Sequence, residues 1–186
     1  MENRIMLTNA RLAFPNLFQP RAGTDGGKAK YGALFILEPG NPAIKQLNAT
    51  FAAVAKEKWG AKADAILKGL KGQDRLCLHD GATKAQYAGF EGNVFVSANS
   101  DLKPTVLDKD RSALGSGDGK PYAGSYVNAS IEVWAQDSQQ YGKRLNAQLR
   151  GVQFVKNGDA FGAGTVASED EFADLGNLGE DTDPTA

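Results

Sequence analysis

Hydrophobic and polar residues alternate with a period of two over several short stretches, and that pattern predicts strands. Residues 125–135 (SYVNASIEVWA) are the cleanest case. Val127, Ala129, Ile131 and Val133 share one face, while Tyr126, Asn128, Ser130, Glu132 and Trp134 share the other. The first face must be core. The second keeps two large aromatics among polar groups, which suits a ligand platform. Residues 136–142 read as a turn and 144–155 as the partner strand. Residues 4–14 alternate loosely, with Ile5 and Leu7 on one side and Met6, Thr8, Ala10 and Leu12 on the other. They predict a strand partly covered on both faces and stopped by Pro15. Residues 28–37 and 93–99 complete a set of five strands.

Between the second and third strands the period changes. Asn41 followed by Pro42 is a helix start, because an Asn side chain caps free N–H groups and Pro suits the first helical position. Ile44, Leu47, Phe51 and Val54 then form one apolar stripe, which Gly60 ends. A shorter helical stretch with Ile66, Leu67 and Leu70 follows. Strands, then helices, then strands without regular alternation predict a mainly β, α+β domain. A closed β-barrel with a helical insertion over about residues 41–70 fits this pattern. The 22 glycines among 186 residues supply the turns such a barrel needs. A single cysteine, Cys77, excludes an internal disulfide and points to a reducing compartment. No signal peptide and no run of ~20 apolar residues is legible, which predicts a soluble, cytoplasmic protein without membrane contact.

Charge divides the chain sharply. All 21 basic residues lie at or before Lys156, together with 14 of the 22 acidic ones, so residues 1–156 carry a net +7. The remainder holds eight acids and no base. Residues 161–186 read as an acidic, disordered tail beyond a folded domain of residues 1–160. Its carboxylates Glu169, Asp170, Glu171, Asp174, Glu180, Asp181 and Asp183, with Phe172 among them, form a candidate autoinhibitory and partner-docking segment.

Catalytic patterns fail on inspection. Cys77, His79 and Asp80 are too close together, and too few, for a structural zinc site. The stretch GSGDGKP at residues 115–121 lacks the Ser or Thr after lysine that a phosphate loop needs. Residues 108–112 begin like a calcium loop, but Ala113 stands where Gly is required. No enzyme, cofactor or metal is expected. Nucleic-acid binding fares better, because basic residues recur beside aromatics at Lys28-Lys30-Tyr31, Lys84-Tyr87, Lys120-Tyr122-Tyr126 and Trp134-Tyr141-Lys143-Arg144. Unpaired bases stack on rings while phosphates follow charge, so such tracks suit a single strand. The candidate contacts are Lys30, Tyr31, Lys103, Arg111, Lys120, Tyr122, Tyr126 and Trp134. Lys103 is included because Lys-Pro at a strand end projects a cation beside a fixed bend.

With these residues laid out, the chain resembles the Enc34-type family of phage single-stranded DNA-binding proteins. The likeness runs through RLAFPNLF at residues 11–18, KYGALFIL at 30–37 and LHDG at 78–81. It continues through ANSDLKP at 98–104, YAGSYVNA at 122–129 and GVQFVKNG at 151–158. The resemblance implies a five-stranded OB-fold barrel and sequence-tolerant coating of single-stranded DNA during phage replication or recombination. It also implies an acidic C-terminus that modulates binding; docking of replication or recombination proteins there, and a homodimer, remain open. Two rivals stand beside it: a strand-annealing recombination protein, and a phage structural or assembly protein that binds no DNA.

Overall fold

The computed structural model describes residues 3–23, 27–161 and 169–176. Its elements are β1 (Arg4–Arg21), β2 (Lys30–Leu37), α1 (Pro42–Trp59), α2 (Ala63–Gly72), β3 (Leu78–Asp80), β4 (Val94–Ser100), β5 (Thr105–Leu107), β6 (Tyr126–Ser138) and β7 (Gly142–Lys156). Five strands close a barrel in the order β1–β2–β4–β7–β6 and back to β1. Four of its seams are antiparallel, and the closing one is a parallel pairing of Asn99 on β4 with Gln148 on β7. This is the OB-fold topology expected from the sequence, with the helices inserted between its second and third strands.

Inward residues fill the barrel. Leu7, Leu12, Phe35, Leu37, Val96, Val127, Ile131 and Leu145 are fully buried in one cluster. The alternating face of β6 is core as its pattern demands, with Val127, Ala129, Ile131 and Val133 sealed from solvent. Helix α1 lies over β1 and β6 and buries Leu47, Phe51 and Val54, the stripe read from its spacing. The Asn41 side chain accepts from the Ala43 N–H at 2.9 Å and donates to the Thr8 carbonyl at 2.8 Å, which caps the helix and ties it to β1. At the other end, Trp59 Nε1 donates to Asp137 Oδ2 of β6 at 2.8 Å.

Strand β1 departs from expectation twice. Pro15 does not stop it; the strand runs on to Arg21 with its register broken between Ala13 and Asn16. Proline lacks an N–H, but at a bulge none is needed for the ladder. Nor do its apolar residues divide between the faces as the alternation suggests: both faces are partly covered, as expected, but the outer one by Ala13. Ile5, Leu7, Ala10 and Leu12 all enter the same core, because a bulge between Leu7 and Ala10, with Asn9 at φ 53°, resets the alternation by one residue. Two three-residue strands, β3 and β5, also arise where the sequence shows only turns and loop.

Cys77 is buried, and desolvation pushes its thiol pKa up to about 12, so it packs as an inert apolar group. In the acidic segment, Glu169–Glu171 forms a short 3-10 turn, with Phe172 and Leu175 strongly exposed beyond it. Residues 162–168 and 177–186, with Glu180, Asp181 and Asp183, lie outside the described residues, and so does most of the expected disorder.

Candidate nucleic-acid interface

The bulge in β1 puts Phe14 in the left-handed region at φ 47°, a conformation costly for a bulky side chain. The result is a phenyl ring turned outward and 42% exposed. It meets Tyr87 edge-on, with centroids 5.1 Å apart, and lies 6.2 Å from Phe90. Tyr87, itself 45% exposed, comes from residues 81–92, which fold as a flap over the outside of β2 and β4. Phe90 anchors that flap, buried with Ala13, Ile36 and Phe95 in a second apolar cluster outside the barrel. The Asp80 side chain caps the flap's first turn by accepting from the Ala82 N–H at 2.9 Å. Gly81 lets it close, since a Cβ there would lie 1.9 Å from the Phe90 carbonyl oxygen. Two exposed rings therefore stand on a buried aromatic base, with the Lys84 ammonium 5.8 Å from the Tyr87 centroid.

Beside this pair, β1, β6 and β7 align Arg11 with Tyr126 and Tyr126 with Lys156. The Arg11 guanidinium lies 5.7 Å from the Tyr126 ring, and Lys156 Nζ lies 4.8 Å from it. Arg11 also donates to the Gly124 carbonyl at 3.1 Å and the Asp159 carbonyl at 2.7 Å, with Phe161 stacked 4.2 Å away. Phe161 packs on the outer cluster under the flap and thereby joins the two aromatic groups. Tyr122 faces the same segment, but its hydroxyl is engaged. It lies 2.9 Å from the Gly158 carbonyl and 3.1 Å from Asn157 Oδ1, and accepts from the Gly158 N–H. Tyr122 bolts the chain after β7 to the barrel.

A second group lies along the far half of β1. Lys103 Nζ stands 5.9 Å from the Phe18 ring. A cleft of about 280 Å³ is lined by Pro15, Leu17, Phe18, Gly119, Lys120 and Pro121. Lys120 pairs with Asp108 at 2.8 Å and lies 5.1 Å from the Phe154 ring. That hydrogen bond, with one from the Lys109 N–H, holds the Asp108 carboxyl below its usual range. Arg111 is exposed in the adjoining turn at φ 71°. Lys30 and Tyr31 open β2, opposite Arg21 and Ser100 respectively. Around the middle of the barrel runs a polar row, Asn16–Gly32–Asn99–Gln148, in which Gly32 is buried and makes room for the Asn99 side chain, whose Oδ1 would lie 2.4 Å from a Cβ there. That is the region where OB-folds hold oligonucleotides.

Of the sequence-derived contacts, Lys103 and Lys120 flank one cleft, and Tyr126 joins the aromatic group. Trp134 is 44% exposed on the same outward face of β6 as Tyr126 but eight residues away, roughly 26 Å along the strand. It stands opposite Asn146, remote from both groups.

A model of the family described as Enterobacter phage Enc34, ssDNA-binding protein, matches residues 3–183. The chain belongs to this family. Among the relatives of this chain, protein p50 of Acyrthosiphon pisum secondary endosymbiont phage 1 is 42% identical over 175 residues, 92% of this chain and 94% of that protein. The solved structure of the single-stranded DNA-binding protein from bacteriophage Enc34 in complex with ssDNA is 26% identical, with a TM-score of 0.72. The match covers 86% of this chain and 90% of that one. The bacteriophage T7 protein gp2.5, a single-stranded DNA-binding protein, shares the fold at a TM-score of 0.60 and 11% identity, over 90% of this chain and 98% of its own. Enc34-type proteins bind DNA and are not enzymes, which agrees with the absence of any catalytic pattern in the sequence.

The candidate contacts chosen from sequence leave out Phe14, Tyr87, Arg11, Lys84 and Lys156. Lys84-Tyr87 was visible as one of the recurring basic–aromatic pairs. Phe14 carried no such signal, because a Phe-Pro step reads as a strand end and a left-handed backbone leaves no trace in residue types.

Proposed function

We propose that this chain binds single-stranded DNA without strong sequence preference and coats it during phage DNA replication and recombination in the host cytoplasm. One observation carries the reading: Phe14 and Tyr87 are exposed rings on a rigid aromatic base, edged by Lys84, Arg11, Tyr126 and Lys156. Bases of any identity stack on such rings, and phosphates follow such cations. Family membership and the likeness to a structure solved with ssDNA support it. Lys103, Lys120 and Arg111 extend the cationic track past the cleft. The acidic segment acts as a competitor, its carboxylates occupying the basic face until DNA displaces them.

Arg11, Lys84, Lys103 and Lys156 have no carboxylate partner among the described residues. If each neutralises one phosphate, the log–log salt slope is about −2.8, and a fourfold rise in salt weakens binding about fiftyfold. Titration of a labelled oligo-dT at about 50 and about 200 mM salt measures this. Absence of binding at the lower salt, or affinity indifferent to salt, ends the proposal.

A further inference from the structure

The helical insertion holds a feature that DNA binding leaves unused. Helix α2 and the tip of the β6–β7 hairpin enclose a groove of about 450 Å³, lined by Ile66, Gly69, Leu70, Arg75, Tyr141 and Lys143 among others. Its floor is apolar: Leu70 is buried, and Ile66 packs on the core with part of its surface still open. Its rim is cationic. Arg75 donates to the carbonyls of Tyr141 and Lys143 and so fixes the hairpin tip against α2 while keeping its charge at the groove. Helices α1 and α2 carry five lysines against only Glu57 and Asp64. An occupant of this groove must be both apolar and acidic.

The chain contains such a segment. Residues 170–175 carry Asp170, Glu171 and Asp174 around Phe172, which is 70% exposed, and Leu175, which is 65% exposed. Two large apolar side chains held in water within an acidic stretch are surplus to solubility and match the groove in both chemistry and charge. The segment's own groove is badly placed to receive it. Residue 161 is fixed beside the start of β6 by a hydrogen bond from the Phe161 N–H to the Ala123 carbonyl. The groove lies at the opposite end, about twelve residues or roughly 40 Å along β6. Phe172 is eleven Cα-to-Cα steps from Phe161, at most ~39 Å fully extended, and the 3-10 turn Glu169–Glu171 shortens that reach. A second copy bound alongside on the same strand has no such restriction.

We propose that residues 170–175 of one copy dock in the α2–hairpin groove of a second copy, linking neighbours along the DNA. The inference rests on the proposed DNA reading in one respect: DNA displaces the segment from the basic face and so presents it to the neighbour.

The test uses the full chain and a fluorescent peptide of residues 168–186, followed by anisotropy with and without saturating oligo-dT. The discriminating variant is Gly69→Glu. A side chain at Gly69 meets nothing within 4 Å, and glutamate favours a helix over glycine, so the fold is kept while a carboxylate enters the groove. The expected result is saturable peptide binding that survives saturating oligo-dT. It should weaken at least tenfold with Gly69→Glu, and equally with a peptide carrying Phe172→Ala and Leu175→Ala. Peptide displaced by oligo-dT, or bound equally by Gly69→Glu, overturns the groove proposal. Failure of oligo-dT itself to bind overturns the DNA reading instead, and the comparison of Gly69→Glu with the native chain in its absence still decides the groove.

Discussion

Phe14 and Phe90 touch the same ring cluster, yet their substitutions should separate function from stability. Phe90 is 1% exposed and holds the flap down; Phe14 is 42% exposed and holds nothing down. Phe90→Ala opens a cavity beneath the flap and should cost about 3–5 kcal/mol of folding stability. Phe14→Ala should leave the melting temperature near the native value, since the ring is largely exposed and the left-handed strain, set by Cβ, is the same for alanine, while affinity for oligo-dT falls by about 1–3 kcal/mol. Thermal melts beside DNA titrations resolve the two; a Phe14→Ala protein that binds oligo-dT as tightly as the native chain removes Phe14 from the interface. Tyr122 is the informative contrast. Its hydroxyl bonds to residues 157–158, so Tyr122→Phe should lower stability by about 1 kcal/mol and change DNA affinity little. A basic–aromatic neighbourhood in sequence does not distinguish these fates. Lys120-Tyr122 and Lys84-Tyr87 look alike as strings, and only the fold shows which ring faces solvent.

The barrel was readable at the scale of elements because its signals are local. Alternation in β6 and the cap-and-stripe pattern of α1 are set by neighbours a few residues apart. Strands β3 and β5 were not readable, since three residues carry no period and their order comes from pairing with β4 and β7. The two bulges in β1 were hidden for a related reason. A bulge is chosen by the partner strands, and its residue types (Asn9, Phe14, Pro15) suggest a break rather than a continuation. One joint between elements should respond to pH. The Trp59 indole donates to Asp137, and that bond, helped by Lys143 and Lys58, holds the carboxyl below its usual range. A carboxylate with a lowered folded-state pKa stabilises above its unfolded value and loses that contribution as pH falls through the lowered one. The α1–hairpin joint should therefore loosen as pH drops below about 4. With Trp134→Phe as background, Trp59 emission should shift over that range, and Asp137→Ala should abolish the transition.

For the molecule as a whole, the governing fact is a body of net +7 joined to a terminal stretch with eight acids and no bases. Phe161, the last described residue before seven of those acids, is pinned under Arg11 beside Tyr126, so they are tethered at the edge of the proposed DNA face. Attachment there holds several carboxylates together beside the face, at an effective concentration on the order of millimolar. Competition of this kind is screened. At about 0.01 M ionic strength the Debye length is about 30 Å and the whole segment is felt by the face; at about 1 M it is about 3 Å and only direct contacts survive. Removing residues 168–186 should accordingly tighten oligo-dT binding most at low salt, and the truncated and full chains should converge as salt rises. The truncated chain should also show the steeper salt dependence, because DNA entering the full chain replaces carboxylates as well as small counterions. Parallel titrations of the two proteins across a salt series check this. Curves that coincide at every salt concentration leave the acidic segment with no part in DNA binding and confine it to contacts with other proteins.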